Sequence, residues 1–145
     1  MNKKIVFLIA LFIITFSAWA DSVFYRYSND TKLFYTKDNH IYRYSDDKKL
    51  YYLKDNHIHR YSDDKKILYL RDNYICRYSD DKKLFYLKDG YFYRYSDDKK
   101  IYQIKDSRIY RYSDDRQIFY YSGMEHPGLI VVMLLLGAPS EMLEL

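Results

Sequence analysis

The tripeptide Arg-Tyr-Ser recurs every 17 residues: Arg26, Arg43, Arg60, Arg77, Arg94 and Arg111 each open a copy of a unit close to RYSDDKKLYYLKDNHIY. A fixed short period means one supersecondary unit copied along the chain. Such a unit buries its apolar face only against its neighbours. Repetition also means that most residues owe their identity to a place in the repeat before they owe it to any chemistry.

Each unit holds two short runs of strand-forming residues, exemplified by Ile41-Tyr42-Arg43-Tyr44-Ser45 and Leu50-Tyr51-Tyr52-Leu53-Lys54. After the second run come Asp38-Asn39, Asp55-Asn56, Asp72-Asn73, Asp89-Gly90 or Asp106-Ser107. Such pairs tolerate the positive φ angles that two-residue type I′ hairpin loops demand. Between the runs, Asp46-Asp47-Lys48 suits a three-residue loop, with Lys48 at the bulge position where glycine would be preferred. Both loops join antiparallel neighbours, so the chain reads as an all-β meander of twelve short strands, the first over 23–28 and the last over 118–122. A parallel solenoid with one rung per repeat is the competitor. It would stack Asp46, Asp63, Asp80 and Asp97 ~4.8 Å apart, a repulsive column of like charge, whereas the meander doubles that spacing.

Turn geometry then sets register. Around Asp55-Asn56, Leu53 opposes Ile58, Tyr52 opposes His59 and Tyr51 opposes Arg60. Around the other loop, Ser45 is expected opposite Lys49, Tyr44 opposite Leu50 and Arg43 opposite Tyr51. One face therefore carries Ile41, Arg43, Ser45, Lys49, Tyr51 and Leu53, whose apolar members toward the Asp-Asn end form the core. The other carries Tyr42, Tyr44, Leu50 and Tyr52, with Tyr27, Tyr44, Tyr61, Tyr78, Tyr95 and Tyr112 repeated in every copy. Twelve open strands would leave two adhesive edges, so closure as a barrel or a radial ring of hairpins is expected. On this hairpin periodicity over 24–122 the chain resembles the small bacterial β-hairpin repeat domains called β-flowers. The resemblance implies a fold without implying an activity.

The ends depart from the repeat. Lys3 and Lys4, the apolar run 5–16 and Ala18-Trp19-Ala20 form the pattern of a secretory signal peptide cleaved after Ala20. A secreted or periplasmic mature chain of residues 21–145 is therefore expected, with a repeat domain over 21–122. Removing Lys3 and Lys4 takes the formal charge from +4 to +2, evenly interleaved, which speaks against a nucleic-acid partner. Cys76 is the sole cysteine, so no internal disulfide can form. In the 123–145 tail, the eight apolar residues 129–136 are too few to cross a bilayer. They are read as a short helix or strand that plugs the open end or core of the array, the alternatives being a membrane-surface or partner contact or a tail with no folded role.

Two surfaces are candidates for binding. Arg43, Arg60, Arg77 and Arg94, expected to alternate with aromatic residues across the sheet, could form an anion or glycan track, or simply pack as cation–π pairs. Tyr44, Tyr61, Tyr78 and Tyr95 could stack sugars, or serve only as strand formers with wet hydroxyls. The Asp-Asp pairs read as turn chemistry rather than calcium ligands, since lysines follow four of the five. His40, His57, His59 and Cys76 lie too far apart across strands, at ~9.6 Å, to share one metal. No catalytic constellation, metal site or cofactor motif can be assembled. The expected function is a non-enzymatic binding module for cell-envelope glycan or a protein partner. A self-assembling surface protein joined through strand edges is the alternative.

Overall fold

The computed structural model describes residues 21–123 and 127–137; the expected signal peptide over 1–20 lies outside them. Twelve antiparallel strands follow one another in a meander: β1 (Ser22–Arg26), β2 (Thr31–Lys37), β3 (His40–Arg43), β4 (Lys48–Lys54), β5 (His57–Arg60) and β6 (Lys66–Arg71) form the first half. β7 (Tyr74–Arg77), β8 (Lys83–Lys88), β9 (Tyr91–Arg94), β10 (Lys99–Lys105), β11 (Arg108–Arg111) and β12 (Arg116–Ser122) complete it. The sheet closes into a barrel because β1 pairs with β12, Phe24 opposite Tyr121 and Arg26 opposite Phe119. Closure uses up both edge strands.

The tight turns form as the Asp-Asn signal predicts. Asp38 and Asn39 have φ of 50° and 62°, and Asp55 and Asn56 have 50° and 59°. The register around them follows, with Leu53 opposite Ile58, Tyr52 opposite His59 and Tyr51 opposite Arg60.

The other loop differs from expectation. Arg43 opposes Lys48, so the connection is the four-residue segment 44–47, and Tyr44 belongs to the loop rather than to a strand. Asp47, not Lys48, takes the left-handed conformation, with φ of 55°, and its counterparts Asp30, Asp64, Asp81, Asp98 and Asp115 do the same. Aspartate adopts that conformation more readily than lysine because its short polar side chain bonds locally.

A bulge follows in every hairpin of this kind. Register slips between Ile41 and Tyr42 against β4, so Ile41 opposes Tyr51 and Tyr42 opposes Lys49, leaving Leu50 unpaired. Bulges add a residue and break the in-out alternation. At the equivalent places Leu33, Ile67, Leu84, Ile101 and Ile118 pack against the core instead of lying on the outer face. The loop residue after each Arg closes the gap: the Tyr61 N–H donates to the Leu50 carbonyl at 2.9 Å, and Tyr78 does the same to Ile67.

The lumen is lined by Phe24, Ile41, Ile58, Ile75, Phe92 and Ile109 from the odd strands, all at most 1 % exposed, and by Leu68, Phe85, Tyr102 and Phe119 from even ones. Inside runs α1 (Pro127–Gly137). Val131, Val132, Met133, Leu134 and Leu135 are consecutive and all buried, which requires covering the helix on every side. The apolar tail segment is therefore an internal plug. Gly123, with φ of +94°, begins the reversal into it, and a Cβ there would run into the Ser22 side chain. At the far end Gly137 lies against Phe119 and Phe24, at the loop mouth of the barrel.

Because Leu134 is wholly enclosed, Leu134→Ala should cost about 2–5 kcal/mol in urea unfolding. Lys54→Ala on the exposed surface should stay within about 0.5 kcal/mol of the parent. Equal effects for the two would remove the helix from the lumen.

Candidate functional site

The arginines ring one mouth of the barrel on its lumen side. Arg43, Arg60, Arg77 and Arg94 oppose Phe34, Tyr51, Leu68 and Phe85 across their tight-turn hairpins. On the other side the bulge carries each one past the aromatic residue of the next strand, since Ile41, not Arg43, opposes Tyr51. The continuous alternation of guanidinium and aromatic groups expected from sequence is thus interrupted at every second strand.

Each of these arginines instead bonds the first aspartate of its own loop. Arg43 Nε and NH2 donate to Asp46 Oδ1 and Oδ2 at 2.9 and 2.6 Å, and Arg94 does so to Asp97 at 3.0 and 2.6 Å. Arg60 and Arg77 donate through Nε to Asp63 and Asp80 at 3.0 Å. Asp46 Oδ1 also accepts the Lys48 backbone N–H at 3.2 Å, so one carboxylate closes the turn and satisfies the guanidinium. The arginine bond, reinforced by that N–H, lowers Asp46 to about 2, and Asp97 likewise through Arg94. An Asp depressed below its unfolded value of about 3.9 stabilises the fold above that pH and loses the contribution as pH falls through the folded value. Stability measured by urea unfolding should therefore decline from about pH 4 to about pH 2, and Asp46→Asn should flatten that decline in part.

The second aspartate has a different partner. Tyr35, Tyr86 and Tyr120 donate their hydroxyls to Asp47, Asp98 and Asp30 at 3.0, 2.9 and 2.9 Å, and Tyr52 bonds Asp64. These tyrosines stack across strands on the outer wall, Tyr35 on Tyr42, Tyr86 on Tyr93 and Tyr120 on Tyr25, with centroids 4.5–4.7 Å apart. Desolvation and the Asp98 bond push the Tyr86 phenol up to about 12. Asp98→Asn should lower that titration in part, with the shift due to desolvation remaining, read from phenolate absorbance. Turn and strand chemistry thus accounts for both members of each Asp-Asp pair.

The repeated loop tyrosines stand clear of this wall. Tyr27, Tyr44, Tyr61, Tyr78, Tyr95 and Tyr112 are 41–52 % exposed and encircle the same mouth. A lysine from the neighbouring hairpin lies over five of them: Lys32, Lys49, Lys66, Lys83 and Lys100 Nζ are 5.0–5.4 Å from the centroids of Tyr44, Tyr61, Tyr78, Tyr95 and Tyr112. His40, His57, Tyr74 and Tyr91 meet Tyr61, Tyr78, Tyr95 and Tyr112 edge-on. Five of the six rings are therefore braced by neighbouring side chains while remaining 41–46 % exposed. Among the described residues no group of three or more His, Cys, Asp or Glu is placed to hold a metal ion.

One place in the ring breaks the repeat. Where β1 meets β12, a cavity of about 330 Å³ opens at the mouth, with Arg26, Arg111, Arg116, Gln117 and Ser28 on its sides. Tyr102, Ile118, Phe119 and Gly137 form its apolar floor. Here Asn29 replaces the loop aspartate and Thr31 the following lysine, while Arg116 and Gln117 replace Lys-Lys. Asn29 Oδ1 keeps the turn bond, accepting the Thr31 N–H at 3.2 Å. Outside the barrel, Tyr27 faces Gln117 and Arg108, with Asp30 and Tyr120, around a second hollow. Apart from Tyr102, Arg108 and Gly137, these residues belong to the first and last copies, with Tyr120 and Asp30 90 positions apart in sequence. No reading of a single repeat brings them together.

Comparison with known protein families, with curated proteins and with solved structures finds no match.

Proposed function

We propose that the protein is a non-enzymatic, secreted or periplasmic binding module for cell-envelope glycan, with the loop-tyrosine ring as its contact surface. The observation that carries this reading is the exposure of Tyr44, Tyr61, Tyr78 and Tyr95 at 41–46 % on rigid hairpins, each ring braced on one side by a lysine. Aromatic faces fixed in advance stack on sugar rings with little entropy left to lose, and the lysines add donors for hydroxyl or acidic groups. A ring of large exposed aromatic side chains is also costly to keep in water unless it meets a partner.

Arg43, Arg60, Arg77 and Arg94 serve this surface indirectly. Their guanidinium groups are committed to Asp46, Asp63, Asp80 and Asp97, and they hold the loops that carry the tyrosines. The alternative of assembly through strand edges has little to work with, because the twelve strands close on themselves.

The test is binding to purified cell-wall sacculi and soluble glycan fragments, parent against the Y44A/Y61A/Y78A triple variant. At about 0.5–1.5 kcal/mol per aromatic contact, the triple change should weaken binding at least tenfold. The urea midpoint should move little, since these side chains lie outside the core. Unchanged binding in a folded triple variant would remove the tyrosine ring from recognition.

A further inference from the structure

The seam cavity between β1 and β12 has a chemistry that none of the repeated positions offers. Arg111 is neutralised by Asp114, at 2.6 Å, in the manner of the other repeats. Arg26 has no such partner. Its loop carries Asn29 where Asp46, Asp63, Asp80, Asp97 and Asp114 stand in the other copies, and Thr31 opposite it replaces a lysine. Among the described residues the Arg26 side chain makes no ion pair, and Arg116 beside the same cavity makes none either. Arg26, with no ion pair among the described residues, and Arg116, which only shares the Asp114 charge with Arg111, thus border one concavity, over a floor of Phe119, Tyr102 and Ile118. At about 330 Å³ it matches the lower end of small-molecule sites, which combine apolar walls with a few fixed polar groups. Guanidinium donors in a fixed fork select planar or tetrahedral oxyanions.

We propose that this cavity binds a small amphiphilic anion, a carboxylate or phosphate joined to an apolar body, with Arg26 as the principal anion contact and Arg116 as the second. The apolar body rests on Phe119 and Ile118, and Gln117 and Ser28 supply neutral hydrogen bonds at the side. This site does not rest on the glycan reading: Tyr44, Tyr61 and Tyr78 do not line it.

The repeat itself provides the decisive variant. Asn29→Asp restores the aspartate present in the other five copies, so it is compatible with the fold, and it gives Arg26 the internal partner that Arg43 has in Asp46. Hexanoate and hexyl phosphate, with hexanol as the neutral control, would be titrated into the ¹⁵N-labelled protein and followed by NMR. At least one of the two anions should shift Arg26, Ser28 and Gln117 saturably and leave Arg60, Ser62 and Lys66 unmoved. Hexanol should bind at least tenfold more weakly. N29D and R26Q should each weaken anion binding at least tenfold, with the glycan affinity of the tyrosine ring unchanged. Equal binding of hexanol and the anions, or unaltered binding in N29D, would overturn the proposal. So would a parent that binds neither anion while E141Q/E144Q binds one, which would make the chain's own tail the occupant.

Discussion

A ring of twelve strands encloses more space than its own side chains can fill. Eight strands already leave an interior that side chains just occupy, and diameter grows with strand number. The lumen therefore has to receive another element, and an apolar α-helix about 10 Å across is the simplest body that satisfies all its own backbone groups. α1 meets that requirement, with Val131 to Leu135 buried in succession and no face reserved for solvent. The inward residues answer the same demand from the wall: mostly isoleucine on odd strands, where the helix needs room, and larger side chains such as Phe85, Tyr102 and Phe119 on even ones. Chain direction follows as well. The helix enters from the tight-turn end and finishes with Gly137 at the mouth where the arginines stand. Its C-terminal carbonyls, the negative end of the macrodipole, thus face the positively charged rim.

Closure decides what can be specific about such a molecule. In a repeated barrel the interior copies are near-equivalent, and most of their polar groups pair locally, Arg43 with Asp46 and Tyr35 with Asp47, although the buried His59 Nδ1 has no hydrogen-bond partner. Those groups build the rim and present the tyrosines. At the seam the first and last copies become neighbours and their substitutions add up. Asn29, Thr31, Arg116 and Gln117 are ordinary singly, yet together they leave Arg26 without an ion pair among the described residues, beside a cavity.

Sequence carried the tight-turn half of each hairpin completely, because Asp-Asn and its relatives report backbone conformation directly. It carried the plug as well, since an apolar run with no polar face has few places to go. The other half of each hairpin was harder to read. Alternation put Leu50 outside and Arg43 opposite Tyr51, whereas the bulge turns its equivalents inward and shifts the pairing. The signal was present as an apolar doublet in every copy, Leu33-Phe34, Leu50-Tyr51, Ile67-Leu68, Leu84-Phe85, Ile101-Tyr102 and Ile118-Phe119, which strict alternation cannot accommodate. The left-handed residue fell on Asp47 and not Lys48 for the same reason, a loop one residue longer than the simplest choice. The seam site was illegible because it exists only once the ring is closed; nothing local relates Arg26 to Arg116.

The closed barrel and the site at its seam both depend on the pairing of β1 with β12 around the helix. The most direct measurement is amide hydrogen exchange with cross-strand nuclear Overhauser contacts in the labelled protein. Contacts between Phe24 and Tyr121 and between Tyr25 and Tyr120, with amide protection across this seam equal to that of the β6–β7 pair, are the predicted result. Missing contacts and fast exchange in β1 and β12, with protection retained elsewhere, would mean an open sheet and would contradict both the closed barrel and the site at its seam.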